Sequence, residues 1–210
     1  KQPAAPLRRD GEAVPELLSL RVATNRSELA RQFGATEESE RAIELALRWL
    51  ARNQSADGRW DADRYGAGRE MKIQDHDRQG AGAKADAAMT GLALLAFLGN
   101  GQTHLDGQYR DNVRRGLDYL KRIQRPDGSL YREAEYFAQM YSHGMATIAL
   151  GEALALTGDE SLRPPLDRAI RYTIAMQHPR YGGWRYTAPQ QRPDDLGDMS
   201  QFGWQVMALK

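Results

Sequence analysis

A chain of 210 residues, 41% hydrophobic and 27% charged, is long enough for one domain with a real core and has the composition of an ordinary globular protein. With 29 basic against 28 acidic side chains its net charge is +1, so no overall field draws in nucleic acid or an anionic membrane surface. Cysteine is absent, which excludes disulfides, thiolate nucleophiles and zinc sites that need sulfur, and no apolar run approaches the roughly 20 residues that span a bilayer.

The sequence starts at Lys1 without a methionine, which reads as a fragment or a processed product, and no signal peptide is visible. Residues 1–35 are rich in Pro, Arg and Glu around one short apolar cluster of Val14, Leu17, Leu18, Leu20 and Val22. They read as a linker with one or two short helices packed on a main body at 36–210.

From Thr36 helices of two kinds alternate. Ile43, Leu47 and Leu50 fall at i, i+4 and i+7, with Arg41, Glu44, Arg48 and Arg52 on the other side, so the first helix is amphipathic. Val113, Leu117 and Leu120 repeat that spacing, and Leu166, Ile170, Thr173 and Ile174 approximate it. Between and after these lie segments that are apolar almost all round, at 86–98, 141–156 and 198–209. A helix hydrophobic on every side must be enclosed on every side. Gly99 and Gly158 sit where a left-handed C-terminal residue is wanted, and Pro164 and Pro165 suit a first helical turn. No alternating run is long enough to demand a strand. Arg110, Arg114, Arg115, Lys121, Arg122 and Arg125 fall on the polar side of the second amphipathic helix and read as a solvated face, without the interleaved aromatics of a nucleic-acid site.

The order amphipathic, apolar, three times over, predicts an all-α fold: a double layer of helical hairpins with amphipathic helices outside and apolar helices inside. Such a layer curves, and closed on itself it is an α/α toroid.

Each amphipathic helix ends in a glutamine followed by a glycine turn: Gln54 and Gly58 in "QSADGRW", Gln124 and Gly128 in "QRPDGSL", Gln177 and Gly183 in "QHPRYGGW", where Gly182 competes for the turn position. Helix ends leave backbone groups unpaired, and a glutamine amide both donates and accepts, so it can tie one helix end to a neighbour. Trp60 and Trp184 can seal the joint, a reading favoured over tryptophans offered to a sugar or a cation because the feature recurs at each hairpin.

"ALRWLARNQSADGRW", "GLDYLKRIQRPDGSLY" and "RYTIAMQHPRYGGWRY" resemble the repeats of squalene and hopene cyclases, which are related to those of protein prenyltransferase β subunits. With the apolar helices the resemblance covers about residues 36–210. The chain looks most like bacterial proteins described as containing prenyltransferase and squalene oxidase repeats, often large and membrane-attached. The resemblance implies two concentric rings of helices around a central cavity. Three hairpins are about half of what the family needs to close its ring, so a partial or open ring is expected, its apolar edge covered by the remainder of a longer polypeptide or by a second copy. It further implies a soluble piece of such a protein, with an apolar small molecule as the ligand class and no membrane insertion by this piece.

The family's chemistry does not follow with its fold. Squalene and hopene cyclases protonate an alkene from a D-x-D-D run, and the nearest stretches here, "DADR" at 61–64, "DHDR" at 75–78 and "DDLGD" at 194–198, lack that spacing. Cyclase pockets are crowded with aromatics, whereas the inner segments here offer Phe97, Tyr141, Phe202 and Trp204. Prenyltransferases hold zinc with an aspartate, a cysteine and a histidine, and there is no cysteine.

No catalytic residue is assigned, and no metal or cofactor is implied. Candidates for a cavity are His143 and Tyr141 near the start of the second apolar helix, Asp86 and Asp198 before the first and third, and Glu152 within the second. Each has a plainer reading: His143 as a buried imidazole bonded to a carbonyl, Asp86 and Asp198 as helix N-caps, Glu152 as the partner of an arginine. Asp75, His76 and Asp77 are metal-ligand types, but adjacent residues point apart, and 69–84 reads as a long loop. The expected role is a binding or interaction module of a larger bacterial protein, the alternative an enzyme on isoprenoid or other lipid substrates. Glycan processing on such a barrel would need two carboxylates facing across a cleft.

Overall fold

The computed structural model describes residues 8–69, 71–73, 75–78, 80–186, 188, 194 and 196–210. Two short helices, α1 (Glu16–Ser19) and α2 (Arg26–Gln32), precede six longer ones: α3 (Glu37–Asn53), α4 (Asp86–Gly99), α5 (Arg110–Ile123), α6 (Gln139–Thr157), α7 (Arg163–Ala175) and α8 (Met199–Leu209). The alternation written in the sequence is the architecture. Helices α3, α5 and α7 form the outer layer, and α4, α6 and α8 form the inner one, with α6 packed between α4 and α8. The result is an all-α arc of three hairpins, a toroid-type fragment.

Side-chain size explains the tight inner layer. Gly91 of α4 faces α6 so closely that a Cβ there would lie 2.8 Å from the Met145 carbonyl carbon, and a Cβ at Gly144 of α6 would lie 3.2 Å from Cβ of Trp204 in α8. Behind this seam Leu94, Phe97 and Leu98 of α4 meet Val113, Leu117 and Leu120 of α5, while Ala149, Leu150 and Ala153 of α6 meet Leu162, Leu166 and Ala169. All twelve are buried, and burying a leucine or phenylalanine side chain contributes about 1.5 to 3 kcal/mol.

Helix ends follow local chemistry. Thr36 caps α3 in a capping box with Ser39, and Gly158 takes φ +62° after α6. Gly99 does not play that part. It is the last residue of α4, and Gly101, at φ +75°, makes the turn instead, because the helix runs one residue further than the apolar pattern. Pro164 and Pro165 occupy the first turn of α7. Ile43 and Ile174 are exposed although their spacing matches the buried stripe, since they lie at the margins of faces whose centres are Leu47 and Thr173. The 69–84 loop contains a minimal hairpin, β1 (Lys72–Ile73) against β2 (His76–Asp77), turned at Asp75 with φ +63°. Two residues per strand are too few for any alternation to show.

The N-terminal segment packs on the same core. Val14 is buried in it, Leu18 and Val22 lie against it, the Arg9 N–H donates to the Thr157 carbonyl, and Arg21 pairs with Glu152 at 2.6 Å.

Candidate functional site

The joints between outer and inner helices come first, because they aim the loops that form the site. At the first joint the Gln54 amide nitrogen donates to the Gly58 carbonyl and to the Asn112 carbonyl of α5, both at 2.9 Å. Its oxygen accepts from Asn112 Nδ2 at 2.8 Å and from Arg115 Nη2 at 2.7 Å. The second joint repeats this: Gln124 donates to Gly128 and to the Pro165 carbonyl of α7 and accepts from Arg168. One amide thus clasps its own turn and the first turns of the next outer helix. The indoles complete the unit, since Trp60 Nε1 donates to the Leu50 carbonyl at 2.9 Å and Trp184 Nε1 to the Thr173 carbonyl at 2.8 Å. Each accepting carbonyl stands four residues before the glutamine, among the last carbonyls that a helix leaves unpaired. Both tryptophans are buried. At the third joint the turn glycine is Gly182, not Gly183: it has φ +73°, and Gln177 donates to its carbonyl. Gly183 instead packs against the Leu196 carbonyl.

After each joint the chain runs to the start of an inner helix, and these loops meet in two clefts. One has a volume near 570 Å³ and is walled by Phe137, Ala138, Tyr141 and Tyr186, with His76, Asp77 and Arg78 of the hairpin on its rim. The aromatics brace one another, Phe137 standing edge-on to Tyr186 with centroids 5.2 Å apart, and Arg185 lies over the Tyr186 ring at 5.0 Å. The Tyr141 hydroxyl bonds Ser200, whose hydroxyl donates to Asp198 at 2.6 Å. Asp198 also accepts the Gln201 N–H at 2.8 Å and is therefore the N-cap of α8. Burial raises the Asp198 carboxyl, but the Ser200 hydroxyl, the Gln201 N–H, Tyr186 and Arg185 together hold it below the ordinary carboxylate range. Burial, helped by the Asp198 charge, pushes Tyr186 up to about 12.

The second cleft, near 320 Å³, is charged, with Arg59, Asp61, Asp63, Lys84 and Asp86 beside Tyr119 and Tyr131. Asp86 is the first residue of α4 and not its cap. Its carboxylate turns back to accept the Ala62 N–H at 2.9 Å and to pair with Arg59 at 3.2 Å, so it ties the loop after Trp60 to the inner helix. Burial raises its pKa, only partly offset by that N–H and by Arg59.

The structure therefore brings Tyr141 and Asp198 together and separates the other candidates. His143 is fully buried, faces neither cleft, bonds Thr173 Oγ1 at 2.9 Å and meets the edge of Tyr172. Burial pushes its pKa down to about 4, against the pull of the Ala169 carbonyl and the Asp127 charge. Glu152 is held by Arg21 toward the other end of α6. Phe97 packs on Trp60 and Tyr109 in the core, and Phe202 on Trp184. Among the described residues no three His, Asp or Glu side chains gather to hold a metal ion. Of the "DDLGD" stretch, Asp195 lies outside the described residues. Phe137 and Tyr186 were not singled out by the sequence. Phe137 sits in a single 3-10 turn, Tyr136–Ala138, and Tyr186 in a loop, and neither stretch is long enough for a period to mark a side chain as facing inward.

The model of the family described as squalene-hopene cyclase C-terminal domain matches residues 29–143, more than half of the chain and including the first two joints. No curated protein and no solved structure matches it.

Proposed function

The chain belongs to the squalene-hopene cyclase C-terminal domain family, a cyclase-like helical domain, and from that premise we propose that it serves as a binding or interaction module of a larger bacterial protein. The aromatic cleft of Phe137, Tyr141 and Tyr186 is the seat for an apolar small molecule. The observation that carries this reading is the state of the carboxyl group beside that cleft. Alkene protonation needs a free, strong acid aimed at the ligand, and Asp198 is instead an ionised helix cap whose oxygens are taken by Ser200, Gln201 and Arg185.

One observation favours the enzyme alternative. Asp86 is a cleft carboxyl that burial raises, so it is the acid such a reaction would use, although Ala62 and Arg59 hold it. Incubation with squalene and with farnesol separates the two readings. The binding module shows a farnesol-dependent rise in Tm that Phe137→Ala and Tyr186→Ala abolish, and it leaves squalene unchanged. Cyclic products that disappear in Asp86→Asn would establish the enzyme instead.

A further inference from the structure

The charged cleft holds a polar group that the fold does not use. Tyr119 of α5 is 3% exposed, Arg122 lies over its ring at 5.5 Å, and its hydroxyl opens into the cleft with no hydrogen-bond partner among the described residues. Burial, helped by the Asp86 charge, pushes Tyr119 up to about 12, so the hydroxyl keeps its proton and stands as a donor. The carboxylates beside it are only partly used. Asp61 accepts from the Arg64 N–H and from Arg59, both at 3.1 Å, Asp63 accepts the Lys84 N–H at 2.8 Å, and Asp86 meets the Ala62 N–H and Arg59. A carboxylate offers about four acceptor positions, so at least half of each is left over. The walls are also set in advance. These bonds fix one of them, the Glu135 N–H donates to the Ala83 carbonyl at 3.3 Å to tie the other to it, and the exposed Lys84 and Arg132 both hold left-handed backbone, at φ +54° and +45°.

We propose that this cleft binds a small neutral polyol, a monosaccharide or cyclitol, with Tyr119 donating to one of its hydroxyls and Asp61 and Asp86 accepting from others. The charge balance selects that class. Four carboxylates, Asp61, Asp63, Asp86 and Glu133, face three cations, Arg59, Lys84 and Arg132. Arg59 is taken by Asp57, Asp61 and Asp86, and Arg132 stands 3.6 Å from Glu133. An anion would face the spare carboxylate lone pairs, and an organic cation would find those carboxylates already neutralised. A hydroxyl both donates and accepts, so a ring of hydroxyls matches a wall of spare acceptors beside a lone donor. A volume near 320 Å³ is at the low end for ligand pockets, about 300 to 1,000 Å³, which limits the ligand to a small one. The site goes beyond the aromatic cleft and holds whether or not that cleft takes a ligand, and it gives Asp86 the part of an acceptor rather than an acid.

Titration of the chain with glucose, galactose, mannose and myo-inositol, followed by saturation-transfer NMR, tests it. At least one of the four receives saturation from the protein, and Tyr119→Phe weakens its binding about 3- to 10-fold, the loss expected for one neutral hydrogen bond. Because the hydroxyl has no partner in the fold, the same substitution leaves the Tm of the free protein unchanged, which separates a ligand contact from a structural one. Phe137→Ala, which abolishes farnesol binding, leaves the polyol titration as it is, so each cleft is read separately. Absence of transfer to all four polyols, an affinity that Tyr119→Phe does not change, or a Tm that falls in Tyr119→Phe overturns the proposal. Putrescine or inorganic phosphate binding more tightly than every polyol overturns it in favour of a cation or an anion site.

Discussion

At the scale of single residues, the tryptophans and His143 show how position decides role. Trp184 fills volume and also satisfies the Thr173 carbonyl, so the two contributions separate by substitution. Trp184→Ala is expected to cost about 3 to 5 kcal/mol in urea unfolding, as for other buried large-to-small changes. Trp184→Phe keeps most of the volume, strands the carbonyl and costs about 1 to 3 kcal/mol. Equal losses would mean that the ring volume contributes nothing beyond the hydrogen bond, and a Trp184→Phe variant as stable as the parent would mean that the hydrogen bond contributes nothing. His143 bears on acid stability. Its pKa falls from 6.5 to about 4 on folding because the burial is complete. Between those values the unfolded chain holds the proton and the folded chain does not. Its contribution is fully present above about pH 6.5 and is lost as pH falls toward 4, roughly 3 kcal/mol over the window. The drop in Tm from pH 7 to pH 5 should therefore be smaller in His143→Gln than in the parent, and an unchanged drop would assign the acid sensitivity elsewhere. The plain reading of His143 as a buried imidazole was available from its apolar helix. Its hydroxyl partner Thr173 was not, because that contact crosses 30 residues.

At the scale of elements, the glutamine joint is the unit that the sequence makes most legible. A conformational need recurs at every passage from the outer to the inner layer, so it recurs in the text as glutamine, turn and glycine. What each joint grips is not legible, since the gripping partner belongs to the next helix. Among the described residues Gln54 makes four side-chain hydrogen bonds, two of them to side chains of α5, while Gln177 makes one, to its own turn. Gln54→Ala is expected to lower unfolding free energy by about 2 to 3 kcal/mol and Gln177→Ala by about 1 kcal/mol or less. Comparable losses would show that the amide matters only for its own turn. Helix boundaries were readable because an all-round apolar run and an amphipathic run have different periods. Phe137, in a single 3-10 turn, and Tyr186, in a loop, carry no period, and so the cleft emerged only from the fold. Asp86 misled for a related reason: an aspartate at a helix start reads as a cap, but this one turns back to hold the loop after Trp60.

At the scale of the molecule, an arc of hairpins distributes stability unevenly. Helix α6 has neighbours on both sides in its own layer and α7 behind it, and twelve of its nineteen residues are buried. Helix α8 has α6 on one side, buries only its two glutamines there, and leaves its apolar side open. In an array whose stability sums over nearest-neighbour interfaces, the end unit opens at lower free energy than the middle one. Amide hydrogen exchange should find α6 protected up to the free energy of global unfolding and α8 exchanging through a local opening several kcal/mol cheaper. The clasp of Arg21 on Glu152 adds to this only slightly, since half-exposed ion pairs contribute about 0 to 1 kcal/mol. Arg21→Ala therefore leaves the protection of α6 almost unchanged. Uniform protection across α4, α6 and α8 in the isolated chain would mean that the three hairpins unfold as one unit and that the open edge carries no energetic penalty.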